Sequence, residues 1–343
     1  MGCREPAETA FRYSTDASSR AGLVALADGV IAGNEAGTVV RLDRSGRVVW
    51  RVALGREVAT RPALAGDSLI AGTVTGDLIR LSLSDGAEKW RLTGEPPILT
   101  PAMVDEEGTS VYLVAPDGAV RAHAVDTGKV RWRHAAPKTR ETAPEATVGL
   151  PTPVLAGGLL VVARGDAGLV ALSVADGSLS WQRDIRDVVG MVTWQGALYA
   201  STSKGGVLAL SLKDGSPLWE QSPAATLTGP LSLALGTLWV GIAGPESPHL
   251  VGLAPGDGKE VARVPLPAPL VTGVAAVRDD VLLVPTSGRE GRLVALKPPG
   301  WERAFTLRTD TPLRTRPVVL GDQLFVLGLD GRVLSWRRRP PEP

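Results

Sequence analysis

Five tryptophans close one recurring phrase. "DRSGRVVW" ends at Trp50, "DGAEKW" at Trp90, "DTGKVRW" at Trp132, "DGSLSW" at Trp181 and "DGSPLW" at Trp219, each with a glycine four residues before the indole. Two weaker copies follow, "DGKEVA" ending at Ala262 and "GWERA" ending at Ala304, with alanine in the aromatic position. Measured glycine to glycine, successive copies lie 40, 42, 49, 38, 43 and 42 residues apart. A sustained period of that length restricts a chain to repeat architectures, in which one supersecondary unit buries its apolar face only against its neighbours.

A second phrase precedes each copy: "GTVVRL" from Gly37, "GDLIRL" from Gly76, "GAVRAH" from Gly118, "GLVALS" from Gly168, "GVLALS" from Gly206, "HLVGLA" from His249, "GRLVAL" from Gly291 and "GRVLSW" from Gly331. An apolar hairpin pattern stands before it, as in "ALAGDSLIAG" (residues 63–72) and "VVLGDQLFVL" (residues 318–327). Short β-rich runs divided by Gly and Asp turns read as strands, and no stretch sustains a helical period. One unit is therefore four strands, with the tryptophan on the fourth. Such a sheet cannot bury both faces alone, and four-stranded sheets stacked radially make a β-propeller. A tryptophan repeated at one place in each unit can bury roughly 200 Å² between adjacent sheets.

The eighth unit stops three strands in, a few residues after "GRVLSW". The spare strand-like segment is "TAFRYS" at residues 9–14. The expectation is an all-β, eight-bladed β-propeller of four-stranded antiparallel blades, closed by this N-terminal strand on the C-terminal blade, with Phe11 or Tyr13 in the place of the docking tryptophan. The corresponding division is a tether at residues 1–8, a single propeller at 9–340 and a tail at 341–343.

Composition excludes several function classes. With 37 basic and 36 acidic residues and a pI near 7.9, the chain lacks the basic excess of a nucleic-acid-binding domain. One cysteine, Cys3, cannot make an internal disulfide. His123, His134 and His249 are scattered without zinc-type spacing, so no metal is expected. No nucleophile elbow, phosphate loop or dinucleotide fingerprint occurs, and no cofactor is expected. No run reaches the 18 or so apolar residues of a spanning helix. "RGD" at Arg164, Gly165 and Asp166 falls where other units have hairpin turns.

The "DGxxxW" endings, preceded by "GxVxAL", resemble the pyrroloquinoline-quinone-type propeller repeat. Eight such units in a chain of this size, closed by the N-terminus, resemble the BamB family, lipoprotein members of the outer-membrane β-barrel assembly machinery. The resemblance implies a non-enzymatic scaffold, periplasmic and anchored to the outer membrane of a Gram-negative bacterium. It implies a protein partner, the periplasmic domains of the barrel-assembly protein, bound through loops on one face. It points to Pro97, Ile98 and Leu99 in "GEPPILTPAM" (residues 94–103), and to Lys138, Arg140, Glu141 and Glu145 in the loop that lengthens the fourth repeat. The family's Leu-x-Leu-Arg-Gly stretch is missing from the first of these segments, and its acidic pair is replaced by "VGLP" in the second. Gly2–Cys3 matches the last two positions of a lipobox, which makes Cys3 the candidate acylation site. Two alternatives are a periplasmic scaffold for another envelope complex and a quinone-dependent dehydrogenase. The second is disfavoured by a single asparagine, Asn34, and by the lack of a cysteine pair.

Overall fold

Glycine turns and alternating apolar runs produce hairpin after hairpin in this chain. The computed structural model describes residues 7–136, 150–222, 225–244, 246–278 and 280–338. Among these, thirty-two strands form eight four-stranded sheets, and seven of the eight sheets use consecutive strands. Blade 1 runs from strand Leu23–Leu26 to Val48–Ala53, blade 2 from Ala63–Ala65 to Glu88–Leu92 and blade 3 from Met103–Val104 to Val130–His134. Blade 4 runs from Val154–Ala156 to Leu179–Arg183, and blade 5 from Val188–Trp194 to Pro217–Gln221. Blade 6 runs from Ser232–Ala234 to Glu260–Pro265, and blade 7 from Ala275–Val277 to Glu302–Arg308. Blade 8 takes strands Val318–Leu320, Gln323–Leu327 and Arg332–Arg338, and its fourth is Ala7–Ser14.

The core is divided among the seams between blades. The second strands supply residues such as Ile31, Ile70, Leu160, Leu238 and Leu283, each with 0% exposure. Every tryptophan of the repeat works across a seam. Trp50 donates its indole N–H to the Leu83 carbonyl, Trp90 to Val125, Trp132 to Val174, Trp181 to Leu212 and Trp219 to Pro255, at 2.7–3.0 Å. Each acceptor belongs to the next blade, beside the turn between its third and fourth strands. In four of these seams the ring then lies on that turn, while at Gly128, opposite Trp90, Leu92 covers the turn instead. A Cβ added at Gly86 would come within 2.8 Å of Trp50, at Gly177 within 2.4 Å of Trp132 and at Gly215 within 2.8 Å of Trp181. The recurring glycine is thus needed twice, for its positive φ and for the indole it must admit.

The N-terminal strand closes the ring. Phe11 pairs with Ser335 and Tyr13 with Val333, after a bulge between Thr9 and Phe11. Phe11 takes the docking position: its ring lies 6.0 Å from Phe325 and would be 2.5 Å from a Cβ at Gly46 of blade 1. A phenyl ring has no N–H to donate. Gln323 supplies the missing bond, giving its Nε2 hydrogen to the Arg44 carbonyl at 2.7 Å. The closing strand starts at Ala7, opposite Arg338, rather than at residue 9, and ends at Ser14.

The seventh unit differs from the sequence reading by one residue. Ala295 pairs with Phe305 and Leu296 with Arg303, as Ala209 pairs with Trp219 and Leu210 with Pro217 in blade 5. Phe305, not Ala304, stands in the docking position, and Trp301, not Gly300, takes the turn position with φ +56°. The nearest glycine, one place early, misaligned this copy. The shift has a packing consequence. Blade 6 carries Ala262 in place of its tryptophan, and Trp301 reaches back from blade 7 into that seam. Trp301 meets Trp239 edge to face, with ring centroids 4.6 Å apart at 80°. The large aromatic and the small residue have exchanged sides of the seam.

Candidate functional site

Antiparallel alternation sorts the loops onto two faces. Turns within the first and third hairpins of each blade lie on one face. Turns between second and third strands share the other face with the connections from blade to blade. That connection face carries the stretch 93–102 between blades 2 and 3. Pro97 is exposed on it. Ile98 is not available to a partner: it is 4% exposed, packs among Ile70, Leu78 and Leu113, and would clash with any side chain at Gly72. Leu99 turns inward to line the central channel. An isoleucine directly after a proline pair reads equally as surface or as seam, and only the packed neighbours decide. Lys138, Arg140, Glu141, Glu145 and Cys3 lie outside the described residues.

A polar anchor fixes this loop. Glu95 accepts from Arg121 of blade 3 and stands 3.9 Å from the Nε2 of buried His123, whose Nδ1 is 2.9 Å from the Gly128 carbonyl. His134 and His249 likewise place Nδ1 at 2.9 Å from a backbone carbonyl, those of Gly177 and Ser247. Among the described residues no three His, Cys, Asp or Glu side chains converge as a metal site would require. Gly165, Asp166 and Ala167 form a single 3-10 turn between the second and third strands of blade 4.

The channel along the ring axis has a volume of about 670 Å³ and is lined by all eight blades. Its charged lining residues are Arg20, Arg61, Arg314 and Arg316. Arg61 and Arg316 are exposed to the channel, while the walls around each guanidinium crowd out part of its hydration. Burial lowers the pKa of both, and the nearness of Arg61 lowers that of Arg316 further. These arginines were missed in the sequence, although a signal was there: the triplet Thr-Arg-Pro occurs at 60–62 and again at 315–317, each time ahead of a blade's first strand.

The profile of the outer membrane protein assembly factor BamB family matches residues 9–241 and 247–337, nearly all of the propeller. The chain belongs to the BamB family. Among curated relatives, BamB of Yersinia pestis is 27% identical over 186 residues, covering 52% of this chain and 47% of that protein. BamB of Burkholderia pseudomallei is 29% identical over 191 residues, covering 51% and 48%. The chain therefore spans about half the length of the curated relatives it matches. In three dimensions the likeness extends over the whole ring. The crystal structure of BamB from Moraxella catarrhalis superposes with a TM-score of 0.77 at 18% identity, covering 98% of this chain and 99% of that one. The quinohemoprotein alcohol dehydrogenase of Comamonas testosteroni gives the same TM-score at 15% identity, covering 98% and 78%. At such identities these likenesses establish the shared propeller and nothing of chemistry.

Proposed function

We propose that this protein is a non-enzymatic scaffold of the outer-membrane β-barrel assembly machinery, which binds the periplasmic domains of the barrel-assembly protein through loops of the connection face. The observation that carries the reading is the family match over residues 9–241 and 247–337. The build of the molecule supports it. Seams held by buried aromatics and indole hydrogen bonds make a stiff disc, and a stiff disc presents loops with little entropy left to lose on binding. The exposed Pro97 and the loop residues Lys138, Arg140, Glu141 and Glu145 are the proposed contacts, with Cys3 as the acylated anchor in the outer membrane. Several acyl chains on one cysteine would give stable attachment where one chain is marginal.

Photo-cross-linking from position 97 in intact envelopes, with identification of the captured protein, tests the partner. Recovery of the barrel-assembly protein is the expected result. Reproducible capture of a different envelope protein would replace it with a scaffold for another complex. Mass spectrometry of the native N-terminus tests the anchor, and an unmodified Cys3 thiol would remove it.

A further inference from the structure

Winding eight repeats around an axis brings one residue of each unit to the same level of the channel. Strand register identifies the equivalent places: Val24 pairs with Ile31, Ala63 with Ile70 and Val318 with Phe325. Two residues before these stand Gly22 in blade 1, Arg61 in blade 2 and Arg316 in blade 8. The other five blades have only proline, threonine or glycine there. Two residues further back, blades 1 and 8 contribute Arg20 and Arg314. All four guanidinium groups therefore lie on the arc formed by blades 8, 1 and 2, and the rest of the described lining is uncharged.

Most of this charge has no counter-charge. Arg20 is paired, with Glu35 at 2.9 Å and Glu57 at 3.5 Å. Among the described residues no carboxylate pairs with Arg61, Arg314 or Arg316, and none lines the channel. Two glycines of the lining stand against these side chains. A Cβ at Gly22 would stand 3.6 Å from the Cβ of Arg61, and one at Gly273 would stand 3.6 Å from the Cδ of Arg316. Like charges near one another oppose folding, and among the described residues no carboxylate offsets that cost at Arg61, Arg314 or Arg316. The channel volume falls within the range of small-molecule sites. A guanidinium fork matches the oxygens of carboxylates and phosphates two at a time.

We propose that the channel binds a small polyanion bearing phosphate or carboxylate groups, gripped between Arg61 and Arg316. The inference is independent of the scaffold role, because it concerns the axis of the ring and not its loops.

Calorimetric titration of the full chain at low ionic strength, with inorganic pyrophosphate and separately with tricarballylate, tests it. At least one anion should bind with one-to-one stoichiometry and should weaken as salt is added. The tighter of the two names the ligand class, phosphate or polycarboxylate. Arg61→Gln and Arg316→Gln should each weaken binding by about tenfold or more. Arg303→Gln, on the exposed outer strand of blade 7, should bind like the parent. Without ligand, each of the two channel variants should melt no lower than the parent, since it removes a repulsion; this melt also shows that the variants fold. Arg61→Lys keeps the charge without the fork and should bind with intermediate strength. Failure of both anions to bind the parent, or undiminished binding by the Arg61→Gln/Arg316→Gln pair, would overturn the proposal.

Discussion

Gly177→Ala separates what the recurring glycine does for the backbone from what it does for the seam. Gly177 has φ +73°, and a methyl group there would stand 2.4 Å from Cε3 of Trp132. The backbone part is the left-handed penalty of an L-residue, about 1–2 kcal/mol. The packing part is the displacement of an indole held by a 2.9 Å bond to the Val174 carbonyl and by Tyr112, whose ring centroid is 5.8 Å away. Overpacking of that kind costs about 1–3 kcal/mol. The sum is about 2–5 kcal/mol. Gly55→Ala is the control: φ is +82° and nothing lies within 4 Å of the added carbon, so only the backbone part, about 1–2 kcal/mol, should appear. The assay is chemical denaturation followed by far-ultraviolet circular dichroism, for both variants in the parent and in a Trp132→Ala background. With the indole removed, Gly177→Ala should cost no more than Gly55→Ala. If its cost were the same in the two backgrounds to within about 0.5 kcal/mol, the two positions would be uncoupled and the seam argument wrong.

Trp301→Ala should destabilise by about 2–4 kcal/mol despite sitting in a turn, because Ala262 leaves the docking position of that seam without its large residue and Trp239 would lose its aromatic partner. A loss below about 0.5 kcal/mol in the same denaturation assay would mean that Trp301 is an ordinary surface turn residue. The turn aspartates predict an acid limb. Asp214 accepts from the Ser216 amide and hydroxyl, which lower its pKa to about 2, and Asp176 is lowered by the same bonds from Ser178. A folded pKa below the unfolded one stabilises above the unfolded value, near 3.8, and that contribution disappears as pH falls towards about 2. Asp214→Asn should therefore flatten the melting-temperature profile between those limits; an identical slope in variant and parent would refute the assignment.

The architecture was legible because each unit repeats its own instructions. Strand, turn glycine and docking aromatic recur at fixed offsets, so the blade count and the closing strand follow from the spacing. What escaped was decided across seams. Phe305 and Trp301 were displaced by one place because Gly300 mimics the turn glycine, and only strand pairing reveals which residue occupies that turn. Ile98 looked like a surface hydrophobe because the space it fills belongs to the neighbouring blade, opposite Gly72. The channel arginines were passed over for a different reason: Arg61 and Arg316, 255 positions apart, share an arc only once the ring has closed.

The direction of the closing strand gives the disc a polarity with respect to any membrane it hangs from. Strand Ala7–Ser14 starts beside the turn at Gly321 and Asp322 and ends beside Gly331, where the Thr15 amide bonds to the Gly331 carbonyl. Ala7 therefore stands at the face opposite the blade connections. The four residue steps from Cys3 to Ala7 can span at most about 14 Å. An acylated Cys3 would hold that face close to the lipid headgroups, with little freedom to turn over. Pro97, the other connections and the arginine-lined end of the channel would then point away from the bilayer.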